Sequence, residues 1–221
     1  MVRRWGLISA LAALAASALF APGCSEPGQG INSPDSSEAI ASVGELAARA
    51  SDEDVIQIEV ATISADPQVA AEAVRGLGSI RRPEAVEALK RVITEETRPE
   101  VREEVAYQLG LQRETPPIQF LEQVLQRDAS PRVRAAAASS LARLRGWEDI
   151  PLLMDVAEKD ADAMVQSRAV AAVESMIGIS VGYDWHASAA ERRKAVQRLR
   201  SVALTAGAAL APQDPRREGG A

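Results

Sequence analysis

The side chains that most often carry catalysis or bind transition metals are scarce in this chain. Its 221 residues include one cysteine and one histidine, which are too few for a cysteine/histidine zinc cluster or an intramolecular disulfide. His186 without a nucleophile-elbow pattern offers little from which to assemble a hydrolase triad. The carboxylates Glu95-Glu96 and Glu103-Glu104 are predicted to be solvated rather than opposed in a cleft. We therefore predict that the protein is not an enzyme and has no cofactor or metal.

The charge of the chain argues against nucleic acid as a partner. The formal net charge is −6 and the pI is near 5.0, which opposes non-specific binding to phosphates. Residues 25–126 hold 19 acidic and 9 basic side chains, whereas residues 127–221 hold 12 and 14. The basic side chains of the second half form two clusters: Arg127, Arg132, Arg134, Arg143 and Arg145, and then Arg192, Arg193, Lys194, Arg198 and Arg200. They are interpreted either as solvated helix faces or as a surface that attracts an acidic partner or an anionic envelope polymer.

The N-terminus has the layout of an export signal. Arg3 and Arg4 precede an apolar run over residues 6–21, and a run of this length is short for a membrane span. It ends at Ala-Pro-Gly-Cys-Ser, which resembles a bacterial lipoprotein signal. The resemblance implies that residues 1–23 are a signal peptide and that Cys24 carries a lipid. It also implies export to the cell envelope, on the periplasmic face of the inner or outer membrane. The alternative is an ordinary signal cleaved after Ala18.

Two further segments carry few apolar side chains. Residues 24–37 are rich in Ser, Pro and Gly, a composition that predicts a flexible tether. Residues 211–221 contain two prolines and two glycines and are predicted to be a disordered tail. The folded part is therefore predicted to span residues 38–210.

Between these segments the chain repeats with a period of 32 residues. The matching columns are Pro67, Pro99 and Pro131; Val69, Val101, Val133 and Val165; Leu77, Leu109 and Leu141, followed by Val173; Val86, Ile118 and Ile150; Leu89, Leu121 and Leu153; and Val92, Val124 and Val156. Internal repetition of this length is typical of stacked supersecondary units.

Each repeat is predicted to form two helices. Val69, Ala73 and Leu77 are spaced by four residues and so form one apolar stripe on a helix. Asp66-Pro67 supplies a capping side chain followed by proline at the first helical position. No stretch shows the alternation of a β-strand, so the repeats are predicted to be helical throughout. Because one hairpin cannot bury its apolar stripe alone, neighbouring hairpins are predicted to stack.

These motifs resemble HEAT repeats, in particular the short bacterial kind. The matching residues are Asp-Pro-x-Val, then Ala-Val, then Leu-Gly, and the resemblance covers about residues 38–205. It implies an all-α fold, namely an α-solenoid of stacked helical hairpins (a HEAT-like or armadillo-type superhelix) with about five units. A degenerate first unit is predicted over residues 36–63, with Val55 and either Ile58 or Val60 on the apolar face of its second helix.

The last unit contains an insertion. Its second helix should resume at residues 182, 185 and 188, but the apolar pattern appears at Val196, Leu199 and Val202, an offset of 14 residues. The insertion, around residues 178–190, contains Tyr183 and Trp185 in a chain that is 3% aromatic. It is interpreted either as a cap over the open end of the solenoid or as a binding loop.

The HEAT resemblance also suggests where a partner binds, because second helices usually line the inner curve of such stacks. Together with the aromatic residues of the insertion, the candidate binding residues are Lys90, Arg91, Glu122, Gln126, Asp155, Tyr183, Trp185, Arg193 and Arg200. These side chains are mostly polar, which favours an extended protein contact over a small-molecule pocket.

Three functions follow as hypotheses. The first is a non-enzymatic scaffold or adaptor, lipid-anchored at the bacterial envelope, that binds another protein and no small-molecule substrate. The second is a lyase or chaperone resembling the HEAT-like factors that attach bilins to phycobiliproteins. The third is a purely structural spacer.

Overall fold

The computed structural model describes residues 29–144 and 147–210. In these residues the regular structure is entirely helical, and ten α-helices form five hairpins stacked in chain order. The predicted all-α solenoid of about five units is therefore confirmed. The predicted signal peptide, the lipid-bearing Cys24 and the tail over residues 211–221 lie outside the described residues.

The helices alternate between two rows. The first helices of the hairpins are α1 (Ser36–Arg49), α3 (Pro67–Ser79), α5 (Pro99–Leu109), α7 (Pro131–Leu144) and α9 (Ala163–Ile177). The second helices are α2 (Asp52–Ala61), α4 (Pro83–Glu95), α6 (Ile118–Arg127), α8 (Ile150–Lys159) and α10 (Ala189–Leu210). Each first helix contacts the first helix of the next unit.

The sequence signals for helix starts are found in the structure. The Asp66 carboxylate accepts a hydrogen bond from the backbone N–H of Gln68 at 2.7 Å, and Pro67 is the first residue of α3. Asp162 caps α9 in the same way, through the N–H of Met164 at 2.8 Å. A capping side chain satisfies a backbone donor that has no partner within the helix.

The repeated apolar columns form one continuous core along the stack. Leu77, Leu109 and Leu141, the Leu column of three successive first helices, are completely buried. Leu89 and Leu121 of the second helices are buried equally well. Each leucine is covered by its own hairpin and by the neighbouring units, which is why a single hairpin would leave its stripe exposed.

Small residues allow the first helices to pack closely. A Cβ atom on Gly110 would lie 2.4 Å from Cβ of Ser140 on α7, and one on Gly76 would lie 2.8 Å from a methyl carbon of Val43 on α1. The Ser140 hydroxyl uses this closeness to donate to the carbonyl of Ala106 at 2.8 Å. Side chains at these glycines would push neighbouring units apart.

A ladder of arginine and aspartate side chains joins the turns between units. Arg102 donates to both carboxylate oxygens of Asp128 at 2.9 Å, and 32 residues later Arg134 does the same to Asp160. Arg134 also donates to the carbonyls of Asp128 and Ala129 in the preceding turn, at 3.0 and 3.3 Å. Each arginine of this Arg–Asp ladder therefore connects two successive turns.

The carboxylates of the Arg–Asp ladder are held in the charged form. Burial alone would raise the pKa of Asp160, but the hydrogen bonds from Arg134 and from the N–H of Asp162 keep that pKa below its ordinary value. In the next unit Gln166 takes the equivalent place and donates to the Asp160 carbonyl at 2.8 Å. Arg134 belongs to the first of the two basic clusters in the sequence, but in the structure it is paired within the stack and does not face a partner.

Packing begins before residue 38, within the segment predicted to be a tether. Residues 29–32 form a 3-10 helix that contacts α1, and Ile31 is buried. Asp35 then caps α1 by accepting from the N–H of Ser37 at 2.8 Å. None of the helices in the described residues is both long enough and apolar enough to cross a bilayer.

Candidate partner-binding surface

Three of the predicted binding residues join adjacent second helices. Arg91 on α4 donates through two nitrogens to Glu59 on α2, both at 2.7 Å. Arg200 on α10 lies 2.9 Å from a carboxylate oxygen of Glu158 and 3.7 Å from one of Asp155, both on α8. Arg91, Asp155 and Arg200 therefore already have charged partners inside the stack.

The other predicted residues of the second helices lie in different environments. Lys90 makes an ion pair with Glu87 at 2.8 Å, and its ammonium lies 5.9 Å from the ring centre of Phe120. Gln126 is exposed on α6, and Glu122 is half-buried on the same helix. Among the described residues, no hydrogen bond or ion pair joins any of these three side chains to Arg91 or Arg200.

Glu122 is the neighbour of a buried carboxyl group that the sequence analysis did not identify. Asp149, the residue before α8, is 1% exposed, and its Oδ2 atom has no hydrogen-bond partner among the described residues. Burial, together with the adjacent Glu122 and Glu148 carboxylates, raises the pKa of Asp149 to about 7. No local sequence pattern marks this pairing, because it joins α6 to the start of α8.

We expect this carboxyl group to make stability depend on pH. Its pKa is about 7 in the folded chain against an ordinary value of 3.8, so the folded state binds the proton more tightly and stability falls as pH rises from about 4 to about 7. Asp149→Asn should remove that part of the fall. Melting temperatures measured from pH 5 to pH 8 would show a decline for the wild type and a flatter profile for the variant. Identical profiles would contradict the prediction.

The insertion between α9 and α10 contains both predicted aromatic residues, in contrasting positions. Tyr183 packs against the hydrophobic core, and burial of its hydroxyl raises its pKa. Trp185 is 51% exposed, and its ring lies 3.8 Å from that of His186, centre to centre. Tyr183 thus covers the end of the core while Trp185 is displayed to the outside.

Hydrogen bonds from both flanking helices fix this loop. Glu174 at the end of α9 accepts from the N–H of Val181 at 2.6 Å, and Arg192 on α10 donates to the carbonyl of Ala187 at 2.7 Å. Asp184 accepts from the N–H of His186 at 2.9 Å. Trp185 therefore stands on a braced loop, one whose backbone is fixed by hydrogen bonds, so the loop itself loses little conformational entropy on binding.

The surface next to the loop is basic. Arg193 is exposed on the first turns of α10 beside Lys194, which is also exposed, and within the described residues neither takes part in an ion pair. Arg198 on the same helix donates to the carbonyl of Val181 at 3.2 Å. We call Trp185, Arg193 and Lys194 the distal surface. Of the predicted binding residues, Gln126, Trp185 and Arg193 make no side-chain hydrogen bond or ion pair with another described residue.

A second exposed apolar surface lies at the opposite end of the stack. Ile56 and Val60 on α2, and Ile63 in the turn that follows, are 59%, 50% and 69% exposed. The spacing of four residues puts Ile56 and Val60 on one side of the helix, and the N–H of Ile63 donates to the Val60 carbonyl at 3.3 Å, which keeps Ile63 close to Val60. We call these three residues the α2 stripe. Sequence analysis had considered Val60 as a core position of the first unit, and the structure shows that Val55 and Ile58 fill the core instead.

The groove beside the α2 stripe has a volume of about 470 Å³. It is lined by Val60 and Ile63 on one side and by Ile31 and Pro34 of the N-terminal segment on the other.

Among the described residues, no three His, Cys, Asp or Glu side chains come together in an arrangement that could hold a metal ion.

Comparison with known proteins identifies the repeats. A family model described as HEAT repeats matches residues 56–136 and 99–174. Curated protein sequences give no significant match. Among solved structures, an engineered protein is 19% identical with a TM-score of 0.45, covering 81% of this chain and 95% of that one.

Two further solved structures are similar to a comparable degree. The complex of CpcE and CpcF of phycocyanin lyase from Nostoc sp. PCC7120 is 18% identical with a TM-score of 0.47, covering 72% of this chain and 68% of that one. A designed armadillo repeat protein is 19% identical with a TM-score of 0.44, covering 81% and 97%. Similarities at this level carry no information on function.

Proposed function

The chain belongs to the HEAT-repeat family, and from this premise we propose that it is a non-enzymatic scaffold or adaptor that binds another protein at the bacterial cell envelope. A lipid on Cys24 holds it there. Repeat solenoids of this kind offer extended surfaces on which each unit contributes a few side chains. The binding site proposed here is the distal surface.

The observation that carries this proposal is the exposure of Trp185 on a braced loop. Tryptophan is among the residues that contribute most to protein–protein affinity, because it buries a large area at a low cost in side-chain entropy. Tyr183 already covers the core end, so Trp185 is available for a partner.

The neighbouring charges indicate the chemistry of the partner. Arg193 and Lys194, both exposed on the helix that follows the loop, add positive charge to this end of the stack, in a half of the chain where basic residues outnumber acidic ones. An acidic protein surface would be attracted to this end and would be oriented before contact. The many arginines already paired within the stack, such as Arg91 and Arg134, do not contribute to this attraction.

Site-specific photo-crosslinking in cells tests the partner-binding proposal. A photoreactive amino acid at position 185 should give one dominant protein adduct, whereas the same amino acid at the exposed position of Glu100, on α5, should not. Equal adducts at both positions, or none at position 185, would favour the structural spacer instead.

Substitution of the same tryptophan gives a quantitative prediction. Once the crosslinked partner is purified, Trp185→Ala should weaken its binding roughly tenfold or more, as truncation of a buried hot-spot side chain does. Tyr107 on α5 provides a matched control, because this aromatic side chain is 45% exposed but far along the stack. Titration calorimetry should give wild-type affinity for Tyr107→Ala. A similar loss for both variants would argue against a site at the distal surface.

The lipid anchor is tested separately. The proposal rests on the apolar run and on the sequence around Cys24, and it predicts that labelled palmitate is incorporated into the wild type and not into Cys24→Ala. Cell fractionation should move the variant from the membrane to the soluble periplasmic fraction. Membrane association of Cys24→Ala without label would contradict the anchor.

A further inference from the structure

The α2 stripe has no partner within the described part of the stack. Ile56, Val60 and Ile63 project from the first unit, and in residues 29–144 and 147–210 no hairpin precedes that unit to cover them. Surface aliphatic residues scattered singly are normal, but Val60 and Ile63 line one groove and Ile56 lies one turn before Val60, and exposed apolar side chains grouped in this way mark an interaction surface.

The position of the N-terminal segment suggests what covers this patch. Ile31 and Pro34 line the same groove as Val60 and Ile63, so the chain enters the folded array directly beside the α2 stripe. Cys24 precedes the buried Ile31 by seven residues. Whatever its conformation, a segment of seven residues spans at most about 25 Å.

We infer that the α2 stripe rests on the lipid bilayer that holds the anchor, so that the first hairpin lies against the membrane and the distal surface points away from it. This inference depends on the lipid anchor of the proposed function. The short connection keeps the α2 stripe within reach of the bilayer and gives it a high effective concentration there. Even a weak apolar contact is then occupied, because the anchor has already brought the α2 stripe to the bilayer surface.

The charges around the α2 stripe indicate which part of the lipid is contacted. Asp52 and Glu59 are paired with Arg82 and Arg91, and Glu53 adds a further carboxylate one turn before Ile56. Because the two paired carboxylates are neutralised, the remaining charge beside the stripe is the Glu53 carboxylate, which anionic headgroups repel. The contact is therefore made with the apolar interfacial region of zwitterionic lipid, and it should not strengthen when anionic lipid is added.

The contact can be tested without relying on lipidation in the cell. Cys24 is the one cysteine of the chain, so the full chain can be coupled through it to a maleimide lipid in phosphatidylcholine vesicles that also contain a photoactivatable lipid. After photolysis, tryptic peptides are quantified. The peptide 50–75 contains the whole α2 stripe, and the peptide 169–192 contains the exposed Ile179 and Trp185 as an internal control at the other end.

The inference predicts that lipid adducts on peptide 50–75 exceed those on peptide 169–192 by roughly tenfold, and that Ile56→Ser with Val60→Ser and Ile63→Ser abolishes most of this excess. These side chains are exposed, so the variant should keep the wild-type circular dichroism and melting temperature. If the triple variant unfolds, the single substitution Ile63→Ser is used in its place. This residue lies outside α2, and its substitution should reduce part of the excess of lipid adducts on peptide 50–75.

Three results would overturn the inference. These are equal labelling of the two peptides, labelling of peptide 50–75 that the serine substitutions leave unchanged, and a dimer in solution, without vesicles, that the serine substitutions dissociate. The last result would assign the α2 stripe to a second copy of the chain. Absence of palmitate incorporation in cells would refute the anchor alone, and the vesicle result would still stand as a property of the α2 stripe.

Discussion

Arg134→Ala is expected to lower the free energy of unfolding by about 3–5 kcal/mol, the cost of leaving one member of a buried ion pair without its partner. The side chains of Arg134 and Asp160 are only 14% and 10% exposed. Without the guanidinium, the Asp160 carboxylate would lose two of its hydrogen bonds, and the carbonyls of Asp128 and Ala129 would lose a shared donor. Urea denaturation followed by circular dichroism would measure the change.

Arg132→Ala is the matched control for this prediction. Arg132 lies on the same helix and also makes an ion pair, with Glu103 at 2.7 Å, but its side chain is 57% exposed. Exposed ion pairs contribute about 0–1 kcal/mol because water and salt screen them. If Arg132→Ala cost as much as Arg134→Ala, burial of the Arg–Asp ladder would not be the source of its stability.

Leu109→Ala is expected to cost about 2–5 kcal/mol, since it removes a fully buried side chain and leaves a cavity in the core. Leu109 lies on α5, the first helix of the central unit, which contacts both α3 and α7. Because each unit is stabilised by its neighbours, weakening the central one should also weaken the coupling between the two halves. We expect a broader urea transition and faster amide hydrogen exchange in α5 and α7 than in α1.

Leu204→Ala provides the comparison for this second prediction. Leu204 is 71% exposed on α10, and surface substitutions of this kind usually change stability by less than about 0.5 kcal/mol. A sharp two-state transition for Leu109→Ala, with the same hydrogen exchange in all units, would mean that the stack unfolds as one cooperative body.

Features that repeat along the chain were predictable from the sequence. The apolar columns at Leu77, Leu109 and Leu141 are buried as their period indicated, because the same packing geometry selects the same residue type in every unit. The insertion in the last unit was detected for the same reason. Its shift of the apolar pattern correctly located Val196 and Leu199, which are buried on α10.

Polar contacts between distant residues were not predictable in the same way. Arg91 and Arg200 were selected as binding residues from their place on the second helices, yet they pair with Glu59 and Glu158 on neighbouring helices. A charged residue on a helix surface looks the same in the sequence whether its partner is solvent, another protein or the adjacent unit. The Asp149 carboxyl escaped prediction for this reason too.

The α2 stripe shows a different limit of sequence analysis. In the interior units an apolar residue has a neighbour on each side, so hydrophobic periodicity identifies the core correctly. In the part of the chain that the structure describes, the first unit has a neighbouring hairpin on one side only, and Val60 is exposed although Val55 and Ile58 on the same helix are buried. At the end of a stack, apolar character alone does not distinguish a core residue from a surface that binds something else.

The Arg–Asp ladder allows repeat units to be added to the stack. Arg102 with Asp128 and Arg134 with Asp160 are identical joints 32 residues apart, so a tandem copy of residues 99–130 would find matching joints on both sides. Every added module would lengthen the stack by about one helix diameter, near 10 Å. Gene duplication or deletion could therefore change the distance between Trp185 and the anchored end in fixed increments of one unit.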